Sequence, residues 1–283
     1  MGKSPQWGMY IVWYFFVGGV AAGAYFTAAL VDLFGDADDR PAVRAGYFVA
    51  LPLVLICPIL LTLDLGVPLR TFNMFLSFDV RSPMSVGSWA LLGFGAFAAV
   101  SAFLVLLEDR LGWALPLRKA IGLVGSFFGF FIASYTGVLL GATNRPIWAG
   151  SSLLGALFLT SAASTGVAAI ALPLLARRAL RARLWARLRT LDEVVLLLEA
   201  LALAAFLGLL GRAAAPIVSG EFAWLFWALL VVLGLAIPFA LHFGMTFFPS
   251  RVRPSAAAIA VSAVLLLIGG FVLRYVVLMA GQT

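Results

Sequence analysis

Charged side chains are scarce in this sequence. Only 11% of its 283 residues are Asp, Glu, Lys or Arg and 64% are hydrophobic, whereas a typical soluble domain is about 25% charged. A soluble fold of this length cannot bury so much apolar surface, so the sequence indicates a protein whose solvent is the lipid bilayer. The net charge of +7 does not indicate a nucleic-acid partner, because the basic residues lie in short connections between hydrophobic runs.

Cysteine and histidine are nearly absent, with Cys57 and His242 the single examples of each. One cysteine excludes an intrachain disulfide and a cluster held by cysteines of this chain alone. One histidine excludes a haem held by two histidines of this chain. We therefore expect no haem, no iron–sulfur cluster and no metal site here, and any redox role requires a diffusible cofactor or a partner's centres.

Long hydrophobic runs are abundant instead. Eight are long enough to cross a membrane, at about 9–33, 43–65, 86–107, 118–142, 151–176, 191–211, 223–247 and 255–280. The first run is too long for the core of a cleavable signal peptide, so we expect it to be a retained span. The sequence predicts an all-α polytopic membrane protein in which residues 1–283 form one integral membrane domain of two four-helix halves.

Lysine and arginine are distributed unevenly between the two sides of these spans. Thirteen of the 19 lie in or beside the connections that follow odd-numbered spans. The positive-inside bias therefore predicts that these connections are cytoplasmic and that both termini lie on the periplasmic or outer side. This orientation is that of a multi-pass protein of a bacterial or archaeal cytoplasmic (inner) membrane. Two polar connections, 63–85 and 134–148, would then emerge together on the outer side.

Four ionisable residues lie at membrane depth, where each charge costs roughly 2.5–3.5 kcal/mol at a helix centre and usually faces a partner or a cavity. Asp32 lies near the cytoplasmic end of the first span, where pairing with Arg40 or Arg44 would account for it. Glu199 is near the bilayer middle. It is either a structural hydrogen-bonding residue or part of an intramembrane proton relay. His242 is either a packing residue or a point of proton entry.

Asp64 ends the second span, and two interpretations are compatible. A pair with Arg70 or Arg274 would pin the ends of two spans. Alternatively, its carboxylate accepts protons beside a quinone.

Aromatic residues gather at the same outer level. The Tyr135 hydroxyl can donate to a quinone carbonyl while its ring packs on the headgroup. Tyr10 and Trp13 share a helix face and would wall a pocket with Tyr135 if the first and fourth spans are adjacent. Trp7 and Trp148 also lie at this level, and they either belong to such a site or form part of an interfacial aromatic belt.

Four segments carry a family resemblance, and they cover nearly the whole chain. They are Trp13–Gly23, Leu63–Arg70 with Ser82–Ser85, Ala142–Trp148 and Gly270–Gln282. In order and content they resemble the NrfD-type membrane subunit of polysulphide reductase and related complexes. The resemblance implies a haem-free subunit of eight helices that binds menaquinone or ubiquinone near the outer face.

The resemblance also implies site residues and partners. Tyr135 and Asp64 match a quinone-contacting tyrosine and an acidic position, Arg274 matches an arginine, and the polar positions of the first span fall on Tyr10 and Trp13. The expected cofactor-binding residues are Tyr10, Trp13, Tyr135, Asn144 and Arg274. Asp64 is the expected catalytic residue. The ionisable residues at membrane depth also suggest a proton path through Asp64, Glu199, His242 and Arg274. An iron–sulfur, ferredoxin-like subunit would dock on the outer connections 66–85 and 143–150, commonly with a molybdopterin or multihaem catalytic subunit beyond it.

Two other classes of function stay open at this point. A passive scaffold would anchor an iron–sulfur or molybdopterin complex without binding quinone, but it would carry few charges within its spans. A transporter would show broken helices in corresponding halves, which Pro52, Pro58 and Pro238 only approach. The terminal substrate, the direction of electron flow and the quinone type are not encoded in any motif of this chain.

Overall fold

The computed structural model describes residues 7–64, 79, 81–108, 110, 114–143, 145–247 and 255–283. Every regular element within these ranges is helical. Eight helices are long and apolar enough to cross a membrane: α1 Met9–Phe34, α2 Arg40–Asp64, α3 Pro83–Leu107, α4 Ala114–Gly141, α5 Leu154–Ala176, α6 Ala182–Leu210, α7 Leu225–Phe247 and α8 Ala256–Ala280. Arg70, Asn144 and most of the predicted docking connection 66–85 lie outside the described residues.

Most predicted spans match these helices closely, but α6 does not. Almost all of the predicted run 191–211 lies within it, but the helix begins at Ala182, nine residues earlier, and includes most of the arginine run that the sequence places in a connection. Arginine is a good helix former, and its long side chain reaches water from a helix that extends past the hydrocarbon layer. Arg183, Arg187 and Arg189 therefore belong to the helix and not to a loop.

The helices form two rings of four. In the first half, α1 packs on α2 and α4, while α3 packs on α2 and α4. In the second half, α5 packs on α6 and α8, while α7 packs on α6 and α8. The halves meet chiefly where α1 contacts α5, and α1 is the most enclosed of the eight helices.

Small residues allow α1 and α5 to approach closely at this junction. A Cβ added to Gly166 would lie 2.6 Å from the Cα of Gly23, so neither position accepts a larger side chain without separating the helices. Gly19, four residues before Gly23 on α1, makes room for Arg274. A Cβ on Gly19 would lie 3.2 Å from the guanidinium carbon.

Helix α7 is unusual because its first part, Leu225–Ala236, is a π-helix. The α-helical part begins at Ile237, immediately before Pro238. Proline has no N–H to donate, so the change of hydrogen-bond register falls where one bond is already missing. Against α8, Gly234 abuts Gly269, which brings the following part of α7 close to its neighbours.

We call the end of the bundle where α1 begins the cleft end and the opposite end the arginine end. At the arginine end of the first half, Arg118 is buried and holds Asp32 with two bonds of 2.8 and 2.6 Å. Arg118 also pairs with Glu108, which meets Arg44 at 3.0 Å. The expected Asp32 pairing with Arg40 or Arg44 is wrong, because Asp32 faces the start of α4 within the ring.

Candidate functional site

At the cleft end, the first half contains a partly open cleft with a cavity volume of about 120 Å³. Its walls come from the starts of α1 and α3 and the ends of α2 and α4. The lining is almost entirely apolar, and its polar side chains are Tyr14, Asp64, Ser88 and Tyr135. An apolar cavity with a few converging polar groups is the usual form of a site for a small organic ligand.

Asp64 is the last residue of α2 and lies in the cleft wall, half-buried. Its carboxylate lies beside Gly8, just before α1, where a Cβ added to Gly8 would be 3.6 Å from Asp64 Oδ1. The pair with Arg274 that the sequence allowed is not formed, because the Arg274 guanidinium is bonded elsewhere. Asp64 therefore presents a carboxylate to the cleft.

Tyr135 lies on α4 and contributes its ring and its hydroxyl to the cleft. The hydroxyl donates to the backbone carbonyl of Pro83, at the start of α3, and the ring stacks on Phe131 with centroids 5.3 Å apart. Gly87 supplies the space for this ring, since any Cβ there would overlap it. The phenolic oxygen can still accept a hydrogen bond from a ligand, and it can donate to one only by leaving Pro83.

Tyr10 and Trp13 do not line this cleft. Helices α1 and α4 are adjacent as the sequence argument required, but Tyr10 is 49% exposed and Trp13 is 42% exposed. Trp13 packs on Phe271 of α8, with ring centroids 4.6 Å apart. Each residue of a helix is rotated by about 100° from the last, so Trp13 points about 100° away from Tyr14. Tyr10 is only about 40° from Tyr14 around the axis, but it lies one turn nearer the start of α1 and is outside the cleft lining.

Tyr14 is the α1 tyrosine in the cleft, and sequence reasoning missed it. Trp7, Ile11 and Tyr14 follow the i, i+4, i+7 spacing of a single helix face. This spacing indicates that Tyr14 shares a face with Trp7 and Ile11. An interfacial aromatic belt explains aromatic residues at this level equally well, so the spacing alone does not identify a cleft.

Arg274 lies behind the cleft and is 1% exposed. Its Nε donates to the carbonyl of Phe15 at 3.0 Å, and Nη1 donates to the Gly270 carbonyl at 2.7 Å and to Ser161 Oγ at 3.2 Å. The guanidinium also lies over the Phe158 ring, 5.3 Å from its centroid. Because Phe15 lines the cleft, Arg274 supports the cleft wall from the junction between the halves.

A chain of buried polar groups continues from Arg274 into the second half. Glu199, 4% exposed, lies beside Ser161 and Arg274. Asp192 lies seven residues before Glu199, which is about two turns and the same face of α6. We call Arg274, Ser161, Glu199, Asp192, His242 and Ser262 the polar column.

His242 joins three helices near the arginine end of this column. Its Nδ1 lies 3.2 Å from Asp192 Oδ2 on α6, and its Nε2 lies 2.9 Å from Ser262 Oγ on α8. Asp192 is fully buried and sequence reasoning did not single it out. Its i, i+7 relation to Glu199 was the available signal.

A family model described as polysulphide reductase, NrfD, matches this chain over residues 1–283. The chain belongs to the NrfD family. A subunit of the polysulfide reductase of Wolinella succinogenes is similar to it, with 28% identity over 309 aligned positions that cover 99% of this chain and 96% of that protein. The eight apolar helices and this membership describe a multi-pass membrane protein.

The connection between α4 and α5 of this NrfD-family protein contains a short helix, Pro146–Ala149. Trp148 in this helix is fully buried, and its ring stacks on Trp7 with centroids 5.3 Å apart and planes 15° apart. The interfacial-belt interpretation is therefore wrong for Trp148. Within the described part of the chain, no three His, Cys, Asp or Glu side chains are grouped to hold a metal ion.

Proposed function

We propose that this chain is the quinone-reactive membrane subunit of a multi-subunit respiratory oxidoreductase. In this proposal it binds quinone or quinol in the cleft and exchanges electrons with an iron–sulfur partner. The observation that carries the proposal is the convergence of the Asp64 carboxylate and the Tyr135 hydroxyl in an otherwise apolar cleft. Family membership supports the same conclusion.

The cleft suits an amphipathic ring with an apolar tail. When bound, a menaquinone or ubiquinone would supply the redox chemistry, since the quinol releases two electrons and two protons and the quinone takes them up. Asp64 is the group that accepts a proton, because its carboxylate is the acidic side chain in the cleft wall. Tyr135 orients a ligand oxygen through its hydroxyl, while the apolar walls exclude water and hold the ring.

The proposed orientation places the cleft end at the outer face. The arginine-rich connections would then be cytoplasmic and both termini periplasmic. A ferredoxin-like iron–sulfur subunit would dock across connections 66–85 and 143–150, with the short helix Pro146–Ala149 in the second of them. A molybdopterin or multihaem subunit would perform the terminal chemistry, as the polysulfide reductase name of the relative suggests.

The decisive experiment is quinol oxidation by the purified complex carrying Asp64→Asn. Loss of a proton acceptor is expected to lower kcat by about 100-fold or more, with all subunits still co-purifying. Asp38→Asn, an equivalent change at the exposed arginine end, serves as the matched control and should leave kcat unchanged. Normal turnover by Asp64→Asn would remove the proton-acceptor role, and a complex without extractable quinone would favour the scaffold.

A second proposed activity is proton transfer across the membrane through the polar column. Its support is the burial of Glu199, Asp192 and His242 together, because ionisable groups within spans commonly mark proton relays. In proteoliposomes of the complex, Glu199→Gln should lower the protons moved per electron at least tenfold while quinol oxidation continues. An unchanged proton-to-electron ratio would exclude this residue from any pump.

A further inference from the structure

The beginning of α1 is held by the end of the chain. The Gln282 side chain accepts a hydrogen bond from the Trp7 N–H at 2.8 Å and donates to the Trp7 carbonyl at 3.1 Å. The same amide nitrogen lies 3.2 Å from the Leu278 carbonyl, which ties it to α8. One side chain therefore satisfies both main-chain polar groups of Trp7 and fixes its position relative to the second half.

The Trp7 ring is held from its other side by Trp148. The two rings are stacked, and Trp148 Nε1 donates to the Val277 carbonyl at 2.8 Å. Gly281 lies directly against the indole, where an added Cβ would come within 2.7 Å of Cδ1. Trp148 thus has no room to shift, and it transmits the position of α8 and of the short helix to Trp7.

These contacts reach the cleft although Gln282 and Trp148 do not line it. The Trp7 ring is part of the cleft wall, and the next residue, Gly8, lies beside the Asp64 carboxylate. A displacement of Trp7 would move one wall of the cleft.

We infer that Gln282 and Trp148 are positioning residues that set the width of the ligand cleft from outside it. The inference rests on the proposed quinone function of the cleft. It also means that the connection proposed to receive the partner subunit, 143–150, is joined to the cleft through one aromatic stack.

The test uses the full chain in lipid nanodiscs, titrated with decylubiquinone and with menadione while tryptophan fluorescence is recorded. Quinones quench nearby indoles, so Trp7→Phe identifies the part of the quenching that comes from the cleft wall. Gln282→Ala removes two hydrogen bonds to Trp7 and should raise Kd about tenfold. Gln282→Glu keeps the acceptor alone and should give an intermediate Kd, and Thr283→Ala, whose hydroxyl bonds only within the helix end, should match the wild type.

The assembled complex provides the second readout. Because Gln282 does not touch the ligand, Gln282→Ala should raise KM for quinol about tenfold and change kcat less than twofold. Trp148→Phe, which retains a ring to stack on Trp7, should raise KM less than Trp148→Ala. Variants with lowered thermal stability but unaltered Kd and KM would show a merely structural clamp and overturn the inference.

The wild-type measurements separate this inference from the function on which it rests. If the wild-type chain binds neither quinone, the proposed function fails and the inference fails with it. If the wild type binds, Asp64→Asn and Tyr135→Phe alter binding or turnover, and Gln282→Ala does not, only the positioning role is overturned.

Discussion

The arginine ends of the two halves differ in how their buried carboxylates are paired. In the first half, buried Arg118 pairs with the carboxylates of Asp32 and Glu108, and Arg44 also pairs with Glu108, so two cations balance two carboxylates. In the second half, the buried Asp192 carboxylate faces His242 at 3.2 Å, and a histidine carries charge only when it is protonated. Both halves contain buried polar atoms without a hydrogen-bond partner among the described residues, so the contrast lies in the charge pairing. Permanent ion pairs hold the first half, whereas the second half pairs a carboxylate with a group that can gain or lose a proton.

Removing Arg118 should have the largest effect on this comparison. Arg118→Leu removes the cation that holds Asp32 and leaves Glu108 with Arg44, and we expect a loss of about 3–5 kcal/mol in the free energy of unfolding. Denaturant unfolding of the purified chain in mixed micelles measures it. Arg181→Leu, which breaks an exposed pair with Asp38, should cost less than about 1 kcal/mol. Equal losses of stability in the two variants would contradict the view that the buried Arg118 pairs hold the first half together.

The same substitution made in both halves sharpens the comparison further. Asp32→Asn disrupts a bidentate pair and should destabilise the bundle by about 2–3 kcal/mol. Asp192→Asn removes a carboxylate that is incompletely bonded and should change stability by less than about 1 kcal/mol. In proteoliposomes, however, only Asp192→Asn should lower the protons moved per electron. If Asp192→Asn caused a large stability loss and left proton movement normal, the buried carboxylates of both halves would have a structural role alone.

Asp36 gives the smallest expected effect, because its pairs lie at the exposed surface. Arg183 and Arg187 each bond its carboxylate at 2.9 Å and hold its pKa below the ordinary value of 3.8, with the Arg187 hydrogen bond the main cause. A carboxyl with a lower pKa in the folded state adds stability above its unfolded pKa and loses it as the pH falls through the folded pKa. Wild type should therefore melt slightly above Asp36→Asn at pH 7.

The melting difference between wild type and Asp36→Asn should vanish in acid, below pH 3.8, and shrink in high salt at neutral pH. Thermal melts at several pH values and salt concentrations measure both trends. A difference that persists in acid would show that Asp36 acts through packing, since the charged form would no longer be present.

The hydrophobic runs predicted the eight helices because membrane thickness imposes a length that composition reveals directly. They could not predict which face of a helix points inward. Tyr10 and Trp13 fit an interfacial belt as well as a binding site, because aromatic residues are common at the start of a span. Only the contact of α1 with α2 and α4 decides between the faces.

Pairings distant in sequence were the other limit. Asp32 found Arg118 instead of the nearer Arg40 or Arg44, since helix packing, and not sequence separation, selects partners for buried charges. The bond between Trp7 and Gln282 joins residues 275 positions apart, and no local pattern indicates it. Asp64 and Tyr135 were placed in one cleft by the family resemblance, which carried information that periodicity alone lacks.

The enclosure of α1 has a consequence for how the protein is made. Span α1 leaves the ribosome before the helices that cover it, yet Tyr25 bonds Ser101, 76 residues later, and Asp32 bonds Arg118, 86 residues later. During synthesis these polar groups face lipid or the insertion machinery until α3 and α4 arrive. The most central helix of the finished bundle is thus the least self-sufficient during biogenesis, and its insertion depends on the prompt arrival of its later neighbours.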